Sequence, residues 1–295
     1  MQAAIDAFLA NLGVVRRLSP RTIAAYRDDL ARLAAFAATQ GVERETALRD
    51  DHVRGFVAAE SRRGVGGKSL QRRLSACRSF FRWLQREGRL AHNPAAGVRA
   101  PKAPRRLPQV LDADEVGALI DAPGEGALGT RDRAMLELFY SSALRLSELC
   151  ALRWRDLDLA QGLVRVTGKG AKTRDVPVGG HAAEALEAWR REGGGTGDAP
   201  VFTGRGGRPI APRTVQARLA HWAKRQGTWK RVHPHVLRHS CASHVLESSG
   251  NLRAVQEMLG HADIATTQVY THLDFQHLSK VYDAAHPRAR RKSKA

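Results

Sequence analysis

From its first residues the chain places apolar side chains at helical intervals. Ile5, Phe8, Leu9 and Leu12 share one face. Ser19 before Pro20 has the form of an N-cap followed by a first-turn proline, and Ile23, Tyr26, Leu30 and Leu33 continue one face of the helix that would follow. Val53, Phe56 and Val57 mark a shorter helix. In the next segment Leu70, Leu74, Cys77, Phe81 and Leu84 recur at alternating steps of four and three, while Lys68, Arg72, Arg73, Arg78, Arg82 and Arg86 take the other faces and Gly88 closes the pattern. No part of this region alternates with period two. Residues 1–90 are therefore expected to form a helical bundle with a basic exterior.

Residues 91–108 hold Pro94, Pro101, Pro104 and Pro108 together with Arg99, Lys102, Arg105 and Arg106 and no acidic side chain. Such a stretch reads as an interdomain linker, either a solvated tether or a basic strap along a phosphate backbone. From 109 to 285 the pattern is mixed. Asp112 and Glu115 have capping-box spacing, and helical periodicity returns around 131–141, 146–152, 181–192, 212–226, 235–248, 252–259 and 274–284. Between these, residues 162–166 and 173–178 flank a glycine-containing turn, which predicts a β-hairpin. The fold class expected is mainly α, in the α+β sense: an N-terminal helical bundle and a C-terminal, mostly helical domain carrying a small β-sheet. The last stretch, 286–295, contains Arg288, Arg290, Arg291, Lys292 and Lys294 without an acid and is expected to be a disordered basic tail.

Composition narrows the function classes. The 295 residues are 43% hydrophobic and 26% charged, which sets disordered and fibrous classes aside. Forty-eight Lys and Arg face twenty-nine Asp and Glu, a formal charge of +19 shared by both halves, so a polyanion is the expected partner. Cys77, Cys150 and Cys241 lie far apart in apolar surroundings, which fits a reducing cytoplasm better than a disulfide framework. No apolar run is long enough to span a membrane, and Asp6 interrupts any signal-like start.

Several residues could carry chemistry. Arg145 and Glu148 stand three apart at a helix start, and His235 and Arg238 repeat that spacing. Taken singly, each pair also suits a surface salt bridge or an exposed basic helix face, and a lone Tyr270 also suits a core or an interface. His235 and His239 are four apart and could ligate zinc with His244 or His272, but the Glu that metalloproteases place after the first His is missing. No carboxylate pair suggests a two-metal nuclease, and no glycine-rich phosphate loop is present. No metal or cofactor is expected.

Order and company change the reading. Arg145, then Lys169 in the hairpin turn, then His235-x-x-Arg238, then His261, then Tyr270 resembles the set found in tyrosine site-specific recombinases, the phage integrase family. The resemblance covers nearly the whole chain. Two positions depart from it: Ala143 precedes Leu144 and Arg145 where the family usually has Gly, and Cys241 follows Ser240 where Phe is common. The resemblance implies that Arg145, Lys169, His235, Arg238 and His261 activate a DNA phosphodiester, that Tyr270 is the nucleophile, and that Glu148 is a supporting acid. ATP is not needed, because a phosphotyrosyl bond stores the cleaved linkage. The ending Tyr270-Thr271-His272 through His286-Pro287-Arg288 is similar to the bacterial Xer branch. That branch implies double-stranded DNA with a dif-like site, a XerD-like recombinase in a heterotetramer, an FtsK-like translocase, and resolution of chromosome dimers at cell division. It also suggests that the short helix with Leu273, Leu278 and Val281 docks on a neighbouring protomer. The competing expectations are a type IB topoisomerase-like relaxing enzyme and a non-catalytic DNA-binding regulator.

Overall fold

The computed structural model describes residues 1–16, 18–101, 110–168, 173–228, 230–260 and 272–289, with backbone only at 194 and 272–277. It divides into two compact units, Met1–Arg106 and Leu107–Ala295.

The first unit is built from α1 (Gln2–Val14), α2 (Pro20–Thr39), α3 (Asp50–Arg62) and α4 (Gly67–Arg86). Ser19 starts α2 as its pattern predicts: its backbone is extended and its hydroxyl accepts the Thr22 N–H at 3.2 Å, leaving Pro20 in the first turn. The apolar stripe of α4 is fully used, with Leu70, Leu74, Cys77, Phe81 and Leu84 all buried. Phe80 on the same helix meets Phe8 edge to face, 5.5 Å between centroids.

Part of the basic exterior expected on α4 turns inward. Asp29 is buried and takes ion pairs from Arg72 and Arg73, Glu60 pairs with Arg73 and Arg63, and Arg78 donates to the Ala95 and Val98 carbonyls. Burial pushes the Asp29 carboxyl up, against the pull of Arg72 and Arg73. Lys68, Arg82 and Arg86 stay exposed. Ala95 and Val98 are themselves buried, so the chain just after residue 91 packs against this unit's core.

The second unit contains α5 (Ala113–Asp121), α6 (Ala127–Ser142), α7 (Leu146–Ala151), the strands β1 (Leu157–Asp158), β2 (Leu163–Thr167) and β3 (Thr173–Pro177), then α8 (Gly180–Trp189), α9 (Pro212–Arg225), α10 (Pro234–Ser249), α11 (Leu252–Leu259) and α12 (His272–Ala285). Asp112 and Glu115 close the reciprocal capping box at the start of α5. The predicted hairpin is β2–β3, paired Val164 to Val176 and Arg165 to Asp175. The two-residue β1 adds a third antiparallel strand, in the order β1-β2-β3. Helix α6 is buried almost all round and forms the centre of this unit, packed by α8 and α10.

Helix α12 docks on its own unit. Leu278, Tyr282 and Ala285 enter the same core, and the Tyr282 and Ser141 hydroxyls bond at 2.8 Å. The chain stays packed past the helix. His286 is buried with its Nε2 3.2 Å from the Tyr140 carbonyl, Arg288 forks onto Glu137, and the Gly180 N–H donates to Ala289 O at 2.6 Å. Residues 286–289 are thus ordered where the sequence pointed to a disordered tail, and 290–295 lie outside the described residues. The apolar side chains used here are contributed by the chain's own α12, and Glu137, a buried carboxylate on α6, gives Arg288 an internal partner. Among the described residues no helix is long and apolar enough to cross a membrane.

Candidate active site

The backbone turn between α6 and α7 sets the site. Helix α6 ends on Ala143, whose φ of +47° and ψ of 36° are left-handed, and it is the residue other than glycine with positive φ among those described. That conformation costs an L-residue about 1–2 kcal/mol, a cost that glycine would not incur. The alanine is tolerated with its methyl fully buried.

Two residues on, Arg145 is the N-cap of α7 and Glu148 its third residue. The Glu148 carboxylate accepts four bonds. Oε2 takes the Arg145 backbone N–H at 2.8 Å and Arg174 Nη2 at 3.0 Å, and Oε1 takes Arg145 Nη1 and Arg174 Nη1, both at 2.8 Å. Burial works against its charge. The Arg174 fork, the Arg145 backbone N–H and the Arg145 side chain outweigh that and hold the carboxyl below its ordinary range.

Arg238, on α10, reaches the same place. Its Nη1 donates to the Ala143 carbonyl and its Nη2 to the Leu259 carbonyl at the end of α11. Arg145 Nη2 donates to that same Leu259 oxygen at 3.2 Å and to Gly260 O at 3.0 Å. The two guanidinium forks thus converge on one acceptor oxygen. Burial, with the neighbouring cations Arg145 and Arg174, pushes Arg238 down to about 10, still protonated at neutral pH.

His235 sits one turn before Arg238 on the exposed side of α10, which His233 caps and Pro234 opens. The His233 and His235 rings lie 6.1 Å apart, and burial, then His235 and Arg231, lower the His233 pKa. Lys169, His261 and Tyr270 lie outside the described residues. Their described neighbours adjoin the cluster: a Cβ added at Gly168 would stand 3.6 Å from Arg145 Nη1 and Glu148 Oε1, and one at Gly260 would stand 2.9 Å from Arg174 Nε. Gly260 also has φ +60°, so both space and conformation call for glycine there.

Sequence reasoning passed over Arg174, although a signal existed. The pairing puts it opposite Val166 and two residues before Val176, on the inward side of the hairpin, where an arginine needs a carboxylate partner.

Other groups that could serve as nucleophiles are poorly placed. Tyr140 and Tyr282 are buried, their hydroxyls bonded to His244 Nδ1 and the Ser141 hydroxyl, and burial raises both pKa values. That bond engages Nδ1 of His244, one of the residues considered for zinc. Burial pushes the Cys77 and Cys241 thiols up to about 12 and Cys150 to about 11.

Comparison with known proteins matches the chain to a family. Residues 109–277 match the phage integrase family and residues 5–88 match the phage integrase N-terminal SAM-like domain. The tyrosine recombinase XerC of Xanthomonas campestris pv. campestris (strain B100) is 63% identical over 290 residues, covering 98% of this chain and 90% of the relative. That of Xylella fastidiosa (strain 9a5c) is 59% identical over 294 residues, covering all of both chains. Among solved structures, a lambda integrase (75-356) dimer bound to a COC' core site superposes with a TM-score of 0.72 at 18% identity, covering 92% of this chain and 99% of that one, a likeness of fold.

Proposed function

The chain belongs to the phage integrase family as a XerC-like tyrosine recombinase, and on that premise we propose how its residues cut and rejoin DNA. The observation that carries the reading is the convergence of Arg145 and Arg238 on one oxygen acceptor. Two planar forks aimed at one point suit the nonbridging oxygens of a phosphodiester, whose charge grows as a nucleophile adds to phosphorus. By analogy with other preorganised donors, each fork contributes on the order of 10²–10³ in rate.

The Tyr270 hydroxyl attacks phosphorus, forming a 3′-phosphotyrosyl bond and breaking the bond from phosphorus to the 5′-oxygen. An unperturbed phenol has a pKa of about 10, so a base is required, and His235 takes its proton. His261 donates to the nonbridging oxygens. Lys169 protonates the departing 5′-oxygen, a task for a lysine rather than a permanently charged arginine. Glu148 fixes Arg145. Attack of another strand's 5′-hydroxyl on the phosphotyrosyl bond reverses the step and leaves joined DNA, with no net loss of bond energy.

Domain roles follow the same reading. Residues 1–90 bind the DNA core site, 109–285 perform catalysis, and the basic stretch 91–108 connects them. The substrate is a dif-like chromosomal site, the partner a XerD-like recombinase in a heterotetramer, and the setting dimer resolution at cell division under an FtsK-like translocase. The test is covalent trapping. The purified chain is given a nicked duplex carrying the sequence it selects from genomic fragments, and a protein–DNA adduct is expected. An adduct formed equally on unrelated duplexes would favour a topoisomerase, and binding without adduct would favour a regulator.

A further inference from the structure

We infer that Arg174 is a positioning residue for cleavage, setting Arg145 through Glu148 and seating the end of α11. The inference rests on the recombinase reading above. Three observations carry it. Arg174 holds both oxygens of Glu148, at 2.8 and 3.0 Å, and Glu148 in turn holds Arg145 by its backbone and by its side chain. Its third nitrogen, Nε, donates to the Met258 carbonyl at 3.3 Å in the last turn of α11. Gly260 approaches so closely that a Cβ there would stand 2.9 to 3.1 Å from the guanidinium and its stem.

One nearly buried side chain on β3 therefore touches the group that aims Arg145 and the helix end whose Leu259 and Gly260 carbonyls receive Arg145. Without Arg174, Glu148 keeps its bonds to Arg145 but loses the partner that fixes its own direction. Arg145 is then free to follow it. Arg174 makes no described contact with the point where Arg145 and Arg238 converge, so its influence is on geometry. A misplacement of about 1 Å in a clamp of this kind lowers a rate by about 10²-fold.

The test uses the full chain and the nicked duplex described above, read as rate and amplitude of single-turnover adduct formation, beside DNA affinity and thermal melting. The unmutated chain must form adduct; if it does not, the recombinase reading itself fails. For Arg174→Ala we expect the rate to fall about 100-fold with amplitude and affinity retained, and for Arg174→Lys, which offers Glu148 one charged donor in place of a fork, a fall of about 10-fold. Combining Arg174→Ala with Glu148→Gln should lower the rate by less than the product of the single effects, because both act through Arg145. A reduced amplitude at an unchanged rate would mean that Arg174 only holds the fold together, and would overturn the proposal. So would multiplicative losses in the double variant. If Arg174→Ala does not fold, Arg174→Lys decides: an unmutated rate from that variant overturns the proposal.

Discussion

Replacing Glu148 by glutamine isolates a charge while keeping its shape. In the native site one buried carboxylate accepts four bonds at 2.8 to 3.0 Å from Arg145 and Arg174. An amide retains one acceptor oxygen and turns an NH₂ toward cationic donors, so two of the four bonds are lost and the guanidiniums lose their counter-charge. Breaking a buried pair in this way costs about 3–5 kcal/mol. The Arg145 side chain is 34% exposed, so water takes over part of its share and the lower end, about 3 kcal/mol, applies. For a unit of this size about 2–4 °C accompanies each kcal/mol, which gives a drop of about 6–12 °C in its melting transition at pH 7.

The pH dependence has a definite sign. The folded carboxyl is held below its ordinary value, so its contribution is complete above the unfolded value of about 4.3 and fades as pH falls through the lower folded value. Calorimetry of both chains from pH 7 downward should show a constant gap above about pH 5 that closes in strong acid, where native Glu148 is protonated and resembles the amide. A gap below about 2 °C at pH 7, or one that persists undiminished into strong acid, would refute the account.

Three further outcomes are expected. Tyr270→Phe should bind the selected duplex with unchanged affinity in a gel-shift titration and form no adduct, and residual adduct would move the nucleophile elsewhere. Lys169→Ala should cleave the ordinary duplex slowly but a duplex with sulfur in place of the bridging 5′-oxygen at nearly the native rate, because a thiolate leaves without a proton; equal slowness on both substrates would pass the acid role to Lys172 or His235. Ala143→Gly should change stability by less than about 1 kcal/mol in chemical denaturation, since relief of left-handed strain offsets the lost methyl and the freer unfolded chain, whereas Ala143→Val should cost more than about 2 kcal/mol.

What could be read from the sequence was whatever repeats or caps. The α4 stripe from Leu70 to Leu84, the Asp112 and Glu115 box and the Ser19 cap are local signals, and each forms as its pattern dictates. The hairpin is legible because β2 alternates, with Val164 and Val166 inside and Arg165 outside. β1 has two residues and no period to detect. Pairings between distant residues leave no local trace. Arg72 and Arg73 look like a basic surface until Asp29 and Glu60 are brought across from α2 and α3, and Ala95 and Val98 among prolines give no hint that Arg78 will hold their carbonyls. The candidate site shows the same division. Arg145 and Glu148 are three apart and visible as a pair, while the pairing of Arg174 with Glu148, 26 positions away, required the fold.

The site's charge balance accounts for why it suits a phosphodiester better than a neutral ligand. Among the described residues Arg145, Arg174 and Arg238 lie about one carboxylate, Glu148, which leaves the described cluster with an excess of two positive charges. The remaining bonds of those forks go to the carbonyls of Ala143, Met258, Leu259 and Gly260. A carbonyl dipole directs a guanidinium and compensates part of its lost hydration, but it does not cancel the charge. The cost is visible at Arg238, whose proton affinity is lowered by burial and by its cationic neighbours. A phosphodiester brings one negative charge into this field, and the pentacoordinate state reached as tyrosine adds brings close to two. The attraction is therefore larger in the transition state than in the bound ground state, and that difference is what raises a rate. A fully neutralised cluster, with a second carboxylate beside Arg238, would hold the same geometry and lose this difference.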